Sequence, residues 1–346
     1  MAIPGVFLTP FVGLLSDRFG RRRVLAASLA SFAVSGVGGA FAPNYSTLLA
    51  LRILMGVPYA GLLALTPVIL TDLFRGPIRS RAIGLNTAAL TIAGTLGPIA
   101  GGYLASAYGS QAAFLVYFSA MPVLILTRWL RLDGTVRAAR TTRARSLWGE
   151  LRSEGRLPDL LGSMPYTTVF TATFVGFCFV IVPLFLESEF RIDVAGRGPA
   201  VGAANLGSAL ASFAFSRYAT RLRPRFLLQT GQALALTALL LLMSASAVPV
   251  VILGVCLLGA AMGTTLNTMQ VFVAAASPIR HRGVIAGTWS ASQRIGQVAG
   301  GPLVGLLVLA VGSRPAFLVG AIIIMVVAGT WLPLRHYLLS REPRLA

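Results

Sequence analysis

Apolar runs of about one membrane width recur along the whole chain, parted by polar stretches that are mostly short. A bilayer core takes roughly 20 consecutive apolar residues per helix, with a range of about 17–25. By that measure the pattern predicts eleven membrane-spanning helices, over 1–15, 24–42, 47–71, 82–107, 111–130, 161–186, 198–216, 226–246, 248–276, 283–311 and 315–338. Short connections make neighbours antiparallel. The exception is 131–160, which divides the chain into an N-terminal bundle over 1–130 and a C-terminal six-helix bundle over 161–346. Within it, Leu147-Trp148-Gly149-Glu150-Leu151-Arg152 reads either as a short amphipathic helix on the membrane surface or as a solvated linker.

Charge adds an orientation. Every one of the 29 basic residues is Arg, and 24 of them fall in alternate loops or at the C-terminal tail. The opposite loops hold only Arg191, Arg197 and Arg314. Cytoplasmic loops carry the excess of basic residues, so 131–160 and the C-terminus are predicted cytoplasmic, with Met1 outside. Composition agrees: 56% of residues are hydrophobic and 11% charged, against about 25% charged in a soluble domain. This is a multi-pass protein of the lipid bilayer, expected in the plasma membrane. The net charge of +19 does not mark a nucleic-acid binder, because the arginines sit between apolar runs and not on one folded basic face.

Cys178 and Cys256 each lie inside an apolar segment and read as small core residues, with neither a disulfide framework nor a metal spacing around them. His281 and His336 sit at predicted cytoplasmic edges, and no nucleophile–base pair, metal set or phosphate-cradling glycine loop stands out. No enzyme, cofactor or metal centre is expected.

One loop stands apart: Gly13-Leu14-Leu15-Ser16-Asp17-Arg18-Phe19-Gly20-Arg21-Arg22-Arg23. Gly20 suits a tight connection, since glycine takes positive φ without steric cost, and Gly13 permits close approach of a neighbouring helix. Arginines alone would serve as a topology anchor, but a lone Asp17 adds nothing to anchoring. The whole string resembles the signature loop between the second and third helices of the major facilitator superfamily of transporters. That resemblance implies an all-α polytopic membrane protein with the major facilitator fold, two pseudo-symmetric helical bundles and twelve helices. The spans here match its second through twelfth, so the family's first helix is expected to be missing. It further implies a conformational latch of Gly13, Asp17, Arg18, Gly20, Arg21, Arg22 and Asp72, docking on the start of the 283–311 helix, whose N-terminal dipole attracts a carboxylate. A solvated helix end is the other reading of Asp72.

The halves echo each other. Arg79-Ser80-Arg81 leads to Gly97-Pro98-Ile99-Ala100-Gly101, and Arg280-His281-Arg282 leads to Gly301-Pro302-Leu303-Val304-Gly305. Paired halves with a midplane substrate site are the architecture of alternating-access transporters.

Two arginines lie at membrane depth, Arg52 and Arg294. A guanidinium there costs several kcal/mol unless it faces a polar cavity or a partner. Arg52 with Gly56 resembles the superfamily's Arg-x-x-x-Gly stretch of the fourth helix, tied to proton transfer, although its usual Gln is Met55 here; snorkelling to the outer interface is the alternative. Arg294, beside Gln293, has no evident acid at its depth. Gly84, Gly97, Pro98, Gly101 and Gly102 resemble the antiporter motif of the fifth helix, typical of exporters, with Ala93 replacing one glycine. They predict close helix packing and a proline bend that seal one side of the bundle. Tyr59, Asn86, Phe174, Asn205, Asn267, Gln270 and Gln293 are candidates for lining a substrate cavity, and bundle packing or lipid contact is the other reading of each.

The expected function is therefore export of small lipophilic or amphiphilic compounds by a monomeric secondary transporter, with protons as coupling ion. Either the carboxylate carrying those protons is absent with the first helix, or Asp17 and Asp72 serve, or transport is not proton-coupled. An uptake carrier for a polar solute and a non-transporting truncated membrane protein are the alternatives.

Overall fold

The structure, a computed structural model, describes residues 19–74, 76–129, 157–218, 222–276 and 282–339. The chain forms two compact units, residues 1–140 and 141–346. Among the described residues there is no strand.

In the first unit, α1 is Arg21–Gly38, prolonged by a 3₁₀ turn Gly39–Phe41; α2 is Tyr45–Leu73 and α3 is Gly76–Tyr108. Asn44 caps α2, its Oδ1 accepting from the Thr47 N–H at 2.8 Å, which satisfies one of the orphan donors of the first turn. α3 begins six residues before the predicted span, because Pro77 near a helix start has no N–H to satisfy. It then runs without interruption through Pro98.

The predicted 111–130 helix is broken. It consists of α4 (Ala112–Leu115), a 3₁₀ turn Val116–Ser119, α5 (Ala120–Leu126) and a 3₁₀ turn Thr127–Trp129. Hydropathy sees only the apolar length. Pro122 lacks an N–H, and its ring crowds the carbonyl four residues back, which is Phe118 in the tightened turn.

The second unit starts with α6 (Leu157–Gly176), a π turn Phe177–Ile181 and α7 (Val182–Phe190), one continuous rod. The π turn has the same origin: Pro183 would crowd the carbonyl of Phe179, and the wide turn relieves the clash. α6 also reaches back into the predicted 131–160 connection, with Pro158 and Asp159 in its first turn, both favoured at helix starts. Residues 130–156, including Leu147–Arg152, lie outside the described residues. Then follow α8 (Val194–Tyr218), α9 (Pro224–Met243), α10 (Val248–Ala276), α11 (Arg282–Val311) and α12 (Ser313–Leu339).

Among the described residues, five segments are long and apolar enough to cross a bilayer: Arg22–Phe41, Gly162–Phe190, Pro224–Met243, Val248–Val273 and Gly287–Val311. Ala112–Leu126 and Ser313–Gly329 are shorter apolar helices. The predicted first span, 1–15, lies outside the described residues. The core of the second unit is aromatic where α6, α7 and α12 meet: Phe317 packs against Phe177 (ring centroids 5.7 Å) and edge-on to Phe185 (5.4 Å). Elsewhere helices touch backbone to backbone. α8 meets α10 where Gly207 lies on the Cys256 carbonyl and Gly259 on the Ala204 carbonyl; α6 meets α11 where Gly296 and Gly300 lie on the Thr168 and Ala172 carbonyls. Small residues permit such contacts, and dispersion and packing then hold the helices where the surrounding lipid supplies no hydrophobic drive.

Candidate functional site

Arg52 sits two turns into α2, half-buried, and is held by aromatic residues. Its Nη1 donates to the Tyr117 hydroxyl at 3.0 Å. Its Cζ lies 4.5 Å from the Phe114 ring centroid and 5.6 Å from that of Tyr117. Phe114 and Tyr117 are three apart in the broken segment, one in α4 and one in the following 3₁₀ turn, so both rings reach the same guanidinium. A desolvated cation–π contact contributes about 2 kcal/mol, and a hydrogen bond to a charged group about 1.5–3 kcal/mol. Together these offset the cost of a guanidinium in an apolar helix. Arg52 is thus engaged by ring faces and a phenol within its own unit.

The floor of this cage is glycine. A Cβ added at Gly36 would stand 2.5 Å from Tyr117 Cβ, and one at Gly39 2.5 Å from Phe114 Cδ1. Tyr117 is also edge-on to Phe32 (5.4 Å), which stacks on Tyr59 (6.4 Å). Of this group, sequence reasoning named Arg52 and Tyr59 and missed Phe114, Tyr117, Gly36 and Gly39. The signal available was a Gly-x-x-Gly where α1 runs into its 3₁₀ turn and an aromatic pair at i, i+3.

The other predicted residues fall as follows. Gly20 adopts φ 87° as the N-cap of α1, as expected. Arg22 is exposed. Gly13, Asp17 and Arg18 lie outside the described residues, as do the side chains of Arg21 and Asp72, so the latch geometry does too. Gly84, Gly97, Pro98, Gly101 and Gly102 all fall in α3. The close packing expected of Gly97 and Gly101 is absent: among the described residues nothing comes within 4 Å of a Cβ built at either. The close approach occurs instead at Gly296 and Gly300 of α11. Asn267 of α10 donates to the Ser212 hydroxyl of α8 at 2.8 Å, so it ties two helices. Phe174 is half-buried and edge-on to Phe179 (6.2 Å). Asn86, Asn205, Gln293 and Arg294 are half-buried, and Gln270 is exposed.

Two of the three arginines assigned to the outer loops are paired with nearby carboxylates. Arg197 Nη1 meets Glu187 Oε2 at 2.8 Å. Arg314 Nη2 meets Glu189 Oε2 at 3.0 Å, and its Nη1 and Nη2 also donate to the Met243 and Ala245 carbonyls at the end of α9. Asp193 Oδ1 accepts from the Gly196 N–H. Two further bonds cross the second unit: Trp289 Nε1 donates to Thr167 Oγ1 at 3.1 Å, and Gln232 Nε2 to the Tyr166 hydroxyl at 3.2 Å.

Apolar helices, a pair of helical units and an arginine held among aromatic rings define a polytopic helical membrane protein built on a duplicated bundle. The sequence profile of the Major Facilitator Superfamily matches residues 1–196 and, again, 166–344. The chain belongs to that superfamily of transporters. Among curated relatives it is 38% identical over 115 residues to the multidrug efflux pump LfrA of Mycolicibacterium smegmatis, covering 33% of this chain and 22% of that protein. It is 37% identical over 108 residues to the MFS-type transporter gkaD of Penicillium citrinum, covering 30% of this chain and 18% of that one. The matched stretch thus spans about a fifth of the length of these relatives. Among solved structures, a bacterial homologue of the human lysosomal transporter Spinster, inward-facing and unoccupied, superposes with a TM-score of 0.73 at 16% identity, over 99% of this chain and 88% of that one. The likeness extends to the fold.

Proposed function

We propose that this protein is a secondary active transporter that exports small lipophilic or amphiphilic compounds by alternating access, in exchange for protons. The observation that carries the reading is the glycine–proline stretch of α3, Gly97-Pro98-Ile99-Ala100-Gly101-Gly102, in a helix that stays continuous through Pro98. Its resemblance to the exporter motif, and an efflux pump among the relatives, support outward transport. Arg52 supplies the fixed charge that coupling needs. Asp17, Arg18, Arg21, Arg22 and Asp72 act as the cytoplasmic latch, and the protein works as a monomer in the plasma membrane.

The test is efflux of ethidium, rhodamine 6G and tetraphenylphosphonium from cells lacking their own pumps, with and without an uncoupler. Cells expressing the parent are expected to accumulate less of at least one probe, to lose that difference on uncoupling, and to lose it again with Arg52→Ala. Equal accumulation of all three probes with and without the parent would sink the proposal.

A further inference from the structure

We infer that Tyr117 is the residue that positions Arg52, so that its phenol acts on transport through the guanidinium. The inference rests on the exporter reading above, in which Arg52 carries the coupling charge. An arginine on a flexible stem has several rotamers, and confining it to one costs side-chain entropy. Here three restraints converge. The Tyr117 oxygen accepts from Nη1 at 3.0 Å, which sets where one edge of the fork points. The Phe114 face lies 4.5 Å from Cζ, which sets the plane. Tyr117 itself is braced by the edge-on ring of Phe32 at 5.4 Å.

The backbone beneath is cut to fit. Gly36 and Gly39 leave room only because they lack a Cβ: one added there would stand 2.5 Å from Tyr117 Cβ or from Phe114 Cδ1. Tyr117 is a neutral acceptor, unlike a carboxylate. It orients the guanidinium through one edge of the fork, as a neutral phenol oxygen accepting from Nη1. The brace also continues along α2. Phe32 stacks on Tyr59, seven residues and about two turns beyond Arg52, so the pose of the guanidinium and the stretch below it share one aromatic support.

The experiment uses the full-length protein in proteoliposomes, with efflux of the same three probes measured across a pH series. Tyr117→Phe deletes the hydroxyl and keeps the ring, Arg52→Lys keeps the charge and loses the planar fork, and a third variant combines them. The expected result is a loss of at least about tenfold in maximal rate for Tyr117→Phe, in line with one hydrogen bond to a charged group, measured well below a melting temperature lowered by only a few degrees, and a pH profile displaced in the same direction as that of Arg52→Lys. The double variant is expected to be no slower than Arg52→Lys alone. A parent-like rate and pH profile in Tyr117→Phe would overturn the inference. So would losses that multiply in the double variant, since the phenol would then act independently of Arg52. A rate loss explained by a lower melting temperature would reduce Tyr117 to a packing residue. A parent that moves none of the probes would remove the exporter reading, and this inference with it.

Discussion

The contact between α6 and α11 sets two kinds of interaction against each other on one interface, and their ranking can be measured. The interface carries two interhelical hydrogen bonds, Trp289 Nε1 to Thr167 Oγ1 at 3.1 Å and Thr168 Oγ1 to the Ser292 carbonyl at 3.0 Å. It also carries two bare-backbone contacts at Gly296 and Gly300. A Cβ added at Gly300 would stand 2.9 Å from Ala172 Cα and 3.0 Å from its carbonyl carbon. Those are main-chain atoms, so relief requires the helices to part, not a side chain to turn. Overpacking of this kind costs about 1–3 kcal/mol, whereas a hydrogen bond between membrane helices averages about 0.6 kcal/mol. At a few degrees per kcal/mol for a large domain, Gly300→Ala is expected to lower the melting temperature by roughly 2–8 °C. Trp289→Phe should lower it by less than about 3 °C. Gly305 on the same helix is the control, because nothing lies within 4 Å of a Cβ built there. Gly305→Ala should leave the melting temperature unchanged or raise it, since glycine in a helix interior costs about 0.5–1 kcal/mol relative to alanine. Differential scanning fluorimetry of the purified protein in detergent reads all three. If Gly300→Ala melts with the parent while Trp289→Phe falls further, polar bonds hold this interface and the packing argument fails.

Other sites yield shorter tests. Arg314→Ala strips Glu189 of its partner and two carbonyls at the end of α9 of their donors; it should lower the melting temperature more than Arg197→Ala, and equal effects would mean that the α9 carbonyls gain nothing from it. Thr171 and Thr265 carry buried hydroxyls with no hydrogen-bond partner among the described residues. Exchanging either for Val should therefore be neutral or stabilising by up to about 1 kcal/mol, whereas Thr167→Val removes the acceptor of Trp289 and should destabilise. Gly20→Ala places a Cβ at φ 87°; it should cost about 1 kcal/mol in thermal stability and, with Gly20 part of the expected latch, slow efflux of the same probes. Asp17→Asn should preserve topology, read by cysteine labelling from each side of the membrane, yet impair efflux; parental efflux would remove Asp17 from the latch.

The all-helical character and the order of the described helices were legible because apolar length is a physical requirement of the bilayer. What hydropathy hides is the backbone inside a span. Pro122 and Pro183 were visible as letters, but the 3₁₀ turn beside one and the π turn beside the other depend on how each crowded carbonyl finds relief. Arg52 was legible from energetic cost alone. Its holders were not, because Tyr117 lies 65 positions away and nothing local to Arg52 encodes it. The glycines show the opposite error. Gly97 and Gly101 matched a pattern for close packing and have no neighbour among the described residues, while Gly296 and Gly300, part of no motif, lie on a neighbouring backbone. A small residue grants permission for contact and does not name the partner.

The π turn at Phe177–Ile181 makes the rod from α6 to α7 one residue longer than its height requires. A bulge of this kind takes in an extra residue without rotating the segments on either side, so the Phe177 and Phe185 rings both keep their seats against Phe317. Length and facing are therefore separately adjustable in this rod. Loss of the outward-facing Phe179 by a single-codon deletion, with Pro183→Ala to remove the clash that widens the turn, would convert the wide turn to an ordinary one and leave both aromatic contacts in register. The same deletion in α9 or α10, which lack such slack, would swing every following side chain by about 100°. Single-residue length changes are usually ruinous inside a membrane helix, and this turn is a place where one can be absorbed.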